Sequence, residues 1–454
     1  MRVDSRIVPR WPATDEAAPF CDEPSAGRET CYDCHDMDEL ALARYADLIV
    51  RVGLNLQPGQ RLLILGPIAN GGVALDAAPL VRAVAARAYD AGAPLVEVLW
   101  GDETLASVRI SRAPADSFGQ FSAWLPTALV EHVKAGHATL SIYANDPDLL
   151  QAAPPERVSA IQSTTAHAVR PFRERISKNA TNWVVVAAPA ASWAARVFPD
   201  LDRDEQVARL GRAIEKLCRL DTPDPIAAWE SHLDGLAART ARLNARHYDA
   251  LRYRGPGTDL TVGLAAGHIW TGGRSTSANG IAFAANLPTE EVFTMPSRDR
   301  VDGTVRSSKP LSYGGTLIED FSLTFDRGCV VDVRAARGEA VLRQLIATDP
   351  GASRLGELAL VPHSSPVAQT GHLFFNTLFD ENAASHLAIG AAYAFTLQGG
   401  EAMTPEEFEQ AGGNRSATHV DFMIGSPALD IDGVTDRGVS EPLMRQGEWA
   451  IALD

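Results

Sequence analysis

The chain has 454 residues, of which 46% are hydrophobic, so it can bury a large core and is long enough for two domains. It carries 41 basic and 57 acidic residues and a formal net charge of -16, which disfavours a protein that grips nucleic acid or an anionic membrane. The sequence contains no run of about 20 apolar residues, so it predicts no transmembrane helix.

The first 37 residues are rich in proline and acidic residues, and we expect them to form a disordered tail. Charges and prolines occupy the positions where a secretory signal needs an apolar segment. Five cysteines in a chain of this length do not indicate a disulfide framework, so we predict a cytoplasmic protein. Cys31, Cys34 and His35 match the attachment pattern of a c-type haem. We interpret this as a chance match, because haem attachment requires export.

Residues 38–200 alternate between helical and strand patterns, beginning with the amphipathic stretch ELALARYADLIVRVGL. Four short apolar runs predict buried strands, and they are RLLILG, PLVEVLW, ATLSIYA and NWVVVAA. Because helical segments separate these strands, we expect a parallel sheet that is covered on both faces. The turn GPIANGG is not a GxGxxG fingerprint, so it predicts no dinucleotide site.

Residues 201–454 form the second predicted domain. Residues 204–246 read as two helices, and the proline-containing turn DTPDPI separates them. After residue 250, glycine-rich turns divide short β-type runs, which indicates a mixed α+β domain rich in antiparallel strands. The expected fold class is therefore α/β, with an N-terminal parallel-sheet domain followed by this mixed domain.

Two segments of the second predicted domain contain carboxylates that are candidates for catalysis or metal binding. In ANLPTEEVFTMP, Glu290 and Glu291 are adjacent, and in an extended segment they face opposite ways and therefore have different roles. Two solvated glutamates after a proline turn are the alternative. In RLGELALVP, Glu357 enters an apolar strand, where a carboxylate is costly unless it is paired or binds a metal. The alternative is that Glu357 marks the exposed start of the strand.

Two further segments supply histidines. His386 follows a predicted helix start in NTLFDENAASHLAIGAAYAF, and Tyr393 lies two helical turns later, so both reach one site only if the helix ends or bends near Gly390. A histidine that is satisfied within the core is the alternative for His386. In NRSATHVDFMIG, His419 and Asp421 are two positions apart and project to the same side of a strand. That pair suits a metal site, a catalytic dyad or a solvent-facing edge.

These side chains together have the chemistry of a metal site. Carboxylates and imidazoles without thiolates suit zinc, cobalt, manganese or iron. Three or more carboxylates can neutralise two divalent ions, which would activate a bridging water for hydrolysis. The candidate ligands are Glu291, Glu357, His386, His419 and Asp421, with Glu290 and Tyr393 close by.

The same segments resemble a known family. NLPTEEVFTMPSRDRVDGTV, LGELALV, FFNTLFDENAASHLAIGAAY and NRSATHVDFMIG closely resemble the aminopeptidase T, AmpS and PepS family of dinuclear metallo-aminopeptidases. YADLIVRVGLNLQPGQRLLI is similar to the start of the same family, so the resemblance covers residues 38–454.

The resemblance implies two divalent ions per subunit, zinc or cobalt ahead of manganese or magnesium. It also implies a homodimer with an enclosed active site and a peptide substrate with a free N-terminus. The implied ligands are Glu291, in preference to Glu290, together with Glu357, His386, His419 and Asp421, and the implied active-site tyrosine is Tyr393. No nucleic-acid or membrane partner is expected.

The resulting hypothesis is hydrolysis of the first peptide bond by a metal-bridged water. Glu290 is the candidate general base, because it adjoins a ligand and points away from it, and Tyr393 would donate a hydrogen bond to the oxyanion. A mononuclear iron ring-cleaving dioxygenase of related fold would use only His386, His419 and Asp421, leaving the glutamates redundant. A metal-free binding protein on the same scaffold is the third alternative.

Overall fold

The computed structural model describes residues 37–151, 153–313 and 316–451. The predicted N-terminal tail, apart from Met37, and the motif with Cys31, Cys34 and His35 lie outside the described residues. Met37 itself is buried and packs in the first hydrophobic core.

The first half alternates helices and strands, as the sequence predicts. Asp38 caps the first helix by accepting a hydrogen bond from the Ala41 N–H at 2.7 Å, and Asp224 and Pro225 start the long eighth helix. The elements in chain order are α1 Glu39–Leu48, β1 Leu62–Leu65, β2 Val73–Ala74, α2 Ala78–Asp90, β3 Val96–Val98, β4 Trp100–Gly101, α3 Glu103–Arg112, α4 Trp124–Lys134, β5 Ala138–Tyr143, α5 Pro155–Ile176, β6 Trp183–Ala187, α6 Ala191–Val197, α7 Arg203–Leu217 and α8 Pro225–Arg246.

The main sheet of this half is parallel and has the order β3-β1-β5-β6. The strands read as apolar runs because helices cover them, and Leu62, Ile64, Leu140 and Ile142 are fully buried. The prediction of a parallel α/β layer is confirmed. A π-helical turn, Ile49–Gly53, extends α1, and β2 pairs with β4 in a separate small sheet.

The second half is dominated by antiparallel strands, which also agrees with the sequence. Its elements are β7 Ala250–Gly255, β8 Thr258–Leu264, β9 Ser275–Thr276, β10 Ala282–Phe283, β11 Val292–Thr294, β12 Pro296–Arg306, β13 Leu311–Tyr313, β14 Thr316–Asp326, β15 Cys329–Arg337, α9 Glu339–Ile346, β16 Leu355–Leu360, α10 Thr377–Asp380, β17 His386–Gly390, α11 Pro405–Gln410, β18 His419–Met423, β19 Asp430–Val434, β20 Ser440–Arg445 and β21 Glu448–Trp449. Short 3-10 turns lie at Ile68–Asn70, Leu75–Ala77, Ala115–Gly119, Pro350–Ser353, Ala368–Thr370, Glu381–Ala383, Ala394–Thr396 and Gly400–Ala402.

Two sheets organise this half. A nine-stranded sheet has the order β13-β14-β12-β8-β7-β19-β20-β21, with β15 paired to β14. A four-stranded antiparallel sheet has the order β11-β16-β17-β18. The two share the second hydrophobic core, in which the rings of Phe321 and Phe422 are 5.6 Å apart. The four-stranded sheet carries the candidate site.

The predicted helix that begins near Asp380 and contains His386 is wrong beyond its first turns. α10 and the turn Glu381–Ala383 are helical, but His386–Gly390 is a strand paired on both sides. All five of its residues are buried, so packing between two strands overrides the local helical pattern. Gly390 has φ +108°, and a Cβ there would lie 2.2 Å from the Thr418 carbonyl oxygen.

In the part of the chain that the structure describes, no helix combines the length and the apolar character needed to cross a membrane.

Candidate metal centre

The four-stranded sheet gathers four of the predicted ligands on one face. Ala388, in the middle strand β17, lies opposite Glu357 on β16 and opposite Asp421 on β18. His386 is two residues from Ala388, and His419 is two residues from Asp421. Because alternate side chains of a strand share a face, these four side chains project to the same side.

Glu357 is central to this group. Its Oε1 lies 3.6 Å from His386 Nε2, and its Oε2 lies 3.9 Å from His419 Nε2. Glu291, immediately before β11, completes one side with its Oε2 3.2 Å from His386 Nε2. Asp421 completes the other side with its Oδ1 3.4 Å from His419 Nε2. The arrangement consists of two three-residue groups that share Glu357.

The backbone orients both imidazole rings. His386 Nδ1 lies 3.1 Å from the Ala384 carbonyl oxygen, and His419 Nδ1 lies 2.7 Å from the Ala391 carbonyl oxygen. A ring nitrogen that faces a carbonyl oxygen must be the donor, so in the neutral ring Nε2 keeps its lone pair. Both Nε2 atoms face the carboxylates. This is the usual arrangement of histidines that bind metal ions.

Two carboxylate oxygens of the cluster are buried without a hydrogen bond. Glu291 Oε2 and Asp421 Oδ1 accept none from the residues that the structure describes. Burying an ionised carboxylate is costly unless an opposite charge or a metal ion compensates it. The two atoms therefore lie where cations would satisfy them.

The protonation of the cluster indicates the same excess of negative charge. Burial alone would lower the pKa of His386, but Glu291 and Glu357 outweigh it and hold that pKa well above the usual value. Burial likewise opposes protonation of His419, and Asp421 beside it raises its pKa to about 9. Burial raises the pKa of Glu357. The cluster thus attracts positive charge, and its carboxylate and imidazole donors fit divalent cations.

Glu290 faces away from this cluster, as expected for the neighbour of Glu291 in an extended segment. Its carboxylate accepts a hydrogen bond from Arg219 at 2.7 Å and lies 3.5 Å from His232 Nε2. Its backbone N–H donates to Asn382 Oδ1 at 2.6 Å. The side chain is buried and does not line the cavity described below.

Glu381 is a carboxylate of the site that the sequence analysis did not select. It lies in the turn between α10 and β17, lines the cavity and is half-buried. Burial, reinforced by the charges of Glu291 and Asp421, raises its pKa well above the usual value. The sequence carries an acidic pair, Asp380 and Glu381, which ends five residues before His386. The local pattern predicts a helix start at Asp380 or Asn382, and it does not single out Glu381.

A cavity of about 480 Å³ opens onto the cluster. Glu291, Glu357, His419 and Asp421 line it, and so does Tyr393, whose ring centroid is 4.8 Å from that of His419. Burial, together with the surrounding carboxylates, raises the pKa of Tyr393 well above the usual value. Its hydroxyl therefore stays protonated and can donate a hydrogen bond into the cavity.

Comparison with known proteins identifies close relatives. The family model described as thermophilic metalloprotease (M29) matches residues 38–449. Aminopeptidase T of Thermus thermophilus is 47% identical over 410 residues, which cover 90% of this chain and 98% of that one. Aminopeptidase AmpS of Bacillus subtilis is 44% identical over 409 residues, with 90% and 98% covered.

Solved structures agree with the sequence relatives. Wild-type AmpT from Thermus thermophilus superposes with a TM-score of 0.85 at 46% identity, covering 90% of this chain and 99% of that one. A 2,5-dihydroxypyridine dioxygenase from Pseudomonas putida KT2440 superposes with a TM-score of 0.52 at 13% identity, covering 91% and 97%. The second likeness is one of fold alone.

Proposed function

Since the chain belongs to the M29 family of thermophilic metalloproteases, we propose that it is a metal-dependent aminopeptidase that removes the N-terminal residue from peptides. The observation that carries this proposal is the buried group of carboxylates and histidines at the cavity, with Glu357 shared between its two halves. Relatives named aminopeptidases, similar over almost their whole length, support the same activity.

We propose that the cluster holds two divalent cations, zinc or cobalt in preference to manganese or magnesium. Glu291, Glu357 and His386 would hold one, and Glu357, His419 and Asp421 the other. When bound, such a pair supplies a bridging water of lowered pKa and stabilises negative charge on the substrate carbonyl oxygen.

The same cluster would also select the substrate end. In the metal-loaded site, the free α-amine of the substrate would bind one of the two cations through its nitrogen lone pair, whereas the nitrogen of a blocked terminus has no lone pair to donate. This binding would favour cleavage at the N-terminus over cleavage within a chain.

Glu290 and Glu381 are the two candidates for the general base. Glu290 is the residue that the sequence suggests, and its role stays a prediction. Its carboxylate is engaged by Arg219 and does not line the cavity. Glu381 does line the cavity, together with the proposed ligands Glu291, Glu357, His419 and Asp421. We therefore favour Glu381, with Tyr393 donating a hydrogen bond to the developing oxyanion.

The test of the activity is release of an arylamine from aminoacyl arylamides by the purified protein. We expect release from substrates with a free α-amine and none from the N-acetylated forms. A chelator should abolish the release, and zinc or cobalt should restore it. Release that survives complete removal of metal would contradict the proposal. Oxygen consumption with a dihydroxypyridine, and no arylamine release, would instead support the dioxygenase alternative.

We further propose that the protein is a homodimer and works in the cytoplasm. The resemblance to the aminopeptidase T, AmpS and PepS family supports the dimer. The free thiols of Cys218 and Cys329 support the location, because reducing compartments keep thiols free. Sedimentation of the purified protein at several concentrations measures the first of these directly.

A further inference from the structure

One arginine lies on the wall of the cavity. Of the described residues that line it, Arg173 is the only arginine or lysine. It lies on α5, in the first half of the chain, whereas the acidic cluster lies on the four-stranded sheet and the loops beside it. The second half of the chain therefore contributes the acidic part of the cavity lining, and the first half contributes the arginine.

The Arg173 guanidinium has no ionic partner among the described residues. By contrast, Arg170 on the same helix pairs with Glu174 at 2.7 Å, and Arg175 Nη1 donates to the Pro171 carbonyl oxygen at 2.8 Å. Arg173 is exposed, so solvent occupies its donors in the free protein. An arginine held at a cavity without a protein partner is available to a ligand.

Arg173 and Tyr143 both line the cavity. Burial raises the pKa of the Tyr143 hydroxyl, and the charge of Arg173 lowers it. A guanidinium presents parallel N–H donors that match the two oxygens of a carboxylate. The matching ligand group is therefore an anion of carboxylate shape.

The size of the cavity limits the size of such a ligand. Its volume of about 480 Å³ lies within the range of about 300–1,000 Å³ that encloses small-molecule ligands, a size class that includes dipeptides and tripeptides. Each of these peptides carries a carboxylate at the end opposite its free amine, and that carboxylate matches the charge of Arg173.

We propose that Arg173 binds the C-terminal carboxylate of short peptides, so that dipeptides and tripeptides with a free carboxylate are the preferred substrates. This inference rests on the proposed aminopeptidase function. Arg173 acts here as a specificity-determining residue. In a tripeptide, the carboxylate that it binds belongs to the residue after the released dipeptide's first residue, one residue away from the cleaved bond. In a dipeptide, that carboxylate belongs to the residue directly after the cleaved bond.

The test compares each peptide with its own C-terminal amide. For the wild type, we expect kcat/KM to be about ten-fold higher for the acid than for the amide, mainly through KM. The hydrogen bonds between Arg173 and a carboxylate are charge-assisted and therefore stronger than those to a neutral amide. The expected ratio is modest because solvent screens the charge of an exposed arginine. Arg173→Met should bring the acid-to-amide ratio close to one, and Arg173→Lys should restore part of it. Arg170→Met, on the same helix and outside the cavity lining, should keep the wild-type ratio.

The outcomes separate this inference from the proposed function. Because the ratio is taken on one preparation, partial loss of folded protein does not change it. Equal rates on acid and amide in the wild type, or an unchanged ratio in Arg173→Met, would overturn the inference while leaving the aminopeptidase activity intact. If the metal-loaded wild type cleaves neither peptides nor aminoacyl arylamides, the proposed function fails and this inference fails with it.

Discussion

The Arg219 guanidinium donates a hydrogen bond to the Glu290 carboxylate at 2.7 Å, and both side chains are largely buried. Arg219 also lies over the Trp229 ring at 4.9 Å, and His232 Nε2 lies 2.8 Å from the Thr289 carbonyl oxygen. This network fixes the segment immediately before Glu291. We infer that Glu290 positions this segment, a role that differs from proton transfer.

The first prediction separates the two candidate bases. Glu381→Gln should lower kcat by about 100-fold or more with metal content retained, because a general base typically contributes that much. Glu290→Gln should chiefly lower the free energy of unfolding, by about 3–5 kcal/mol, since it leaves the buried Arg219 without its counter-charge. Steady-state kinetics and denaturant unfolding of both variants measure this. A large kcat loss in Glu290→Gln alone, with normal stability and metal content, would return the base to Glu290.

The second prediction concerns the shared carboxylate. Glu357 faces both histidines, so Glu357→Gln should weaken binding of both cations and abolish activity. Metal analysis of the purified variant measures the loss directly. Glu406→Gln, an exposed change in α11, is the matched control and should retain metal and activity. Full metal content with full activity in Glu357→Gln would remove this residue from the site.

The third prediction concerns the tyrosine at the cavity. Tyr393→Phe removes one hydroxyl and keeps the ring that packs near His419 and Phe395. Loss of one donor to a developing oxyanion costs on the order of 100-fold in kcat, with little change in KM. Kinetics on one aminoacyl arylamide measure this split. An unchanged kcat would exclude the hydroxyl from the reaction.

The fourth prediction is a pH dependence of stability away from the metal centre. His268 is buried, and its Nδ1 lies 2.8 Å from the Ala265 carbonyl oxygen. Burial lowers its pKa from 6.5 to about 4. A base whose folded pKa is depressed stabilises the fold above its unfolded pKa. That contribution is lost as the pH falls from about 6.5 towards 4, and it amounts to about 3 kcal/mol.

His268→Gln isolates this contribution. The loss of unfolding free energy between pH 7.5 and pH 4.5 should be smaller in this variant than in the wild type, when urea unfolding is followed after metal removal. His167→Gln changes an exposed histidine on α5 and should follow the wild type. Identical pH profiles for wild type and His268→Gln would show that His268 does not titrate as described.

Local patterns in the sequence predicted most elements around the site. The spacing of His419 and Asp421 places both on one face of β18, and the apolar run around Glu357 forms the buried strand β16. These inferences succeed because a strand has a fixed period of two.

Other features depend on contacts between distant parts of the chain. His386 was assigned to a helix because its segment begins with helix-start residues, whereas pairing with β16 and β18 makes it a strand. Glu381 was missed because its position at the cavity depends on where that turn packs. Arg173 lies more than 100 positions before Glu291, and no local pattern connects an arginine of α5 with the acidic cluster.

The central claim is that the cluster around Glu357 holds a pair of divalent cations that the aminopeptidase activity requires. Elemental analysis of the metal-free protein titrated with zinc or cobalt, with activity followed in the same samples, tests it most directly. We predict that binding saturates at two ions per subunit and that activity appears as the sites fill. Saturation at a single iron, or full activity in samples without metal, would contradict the account.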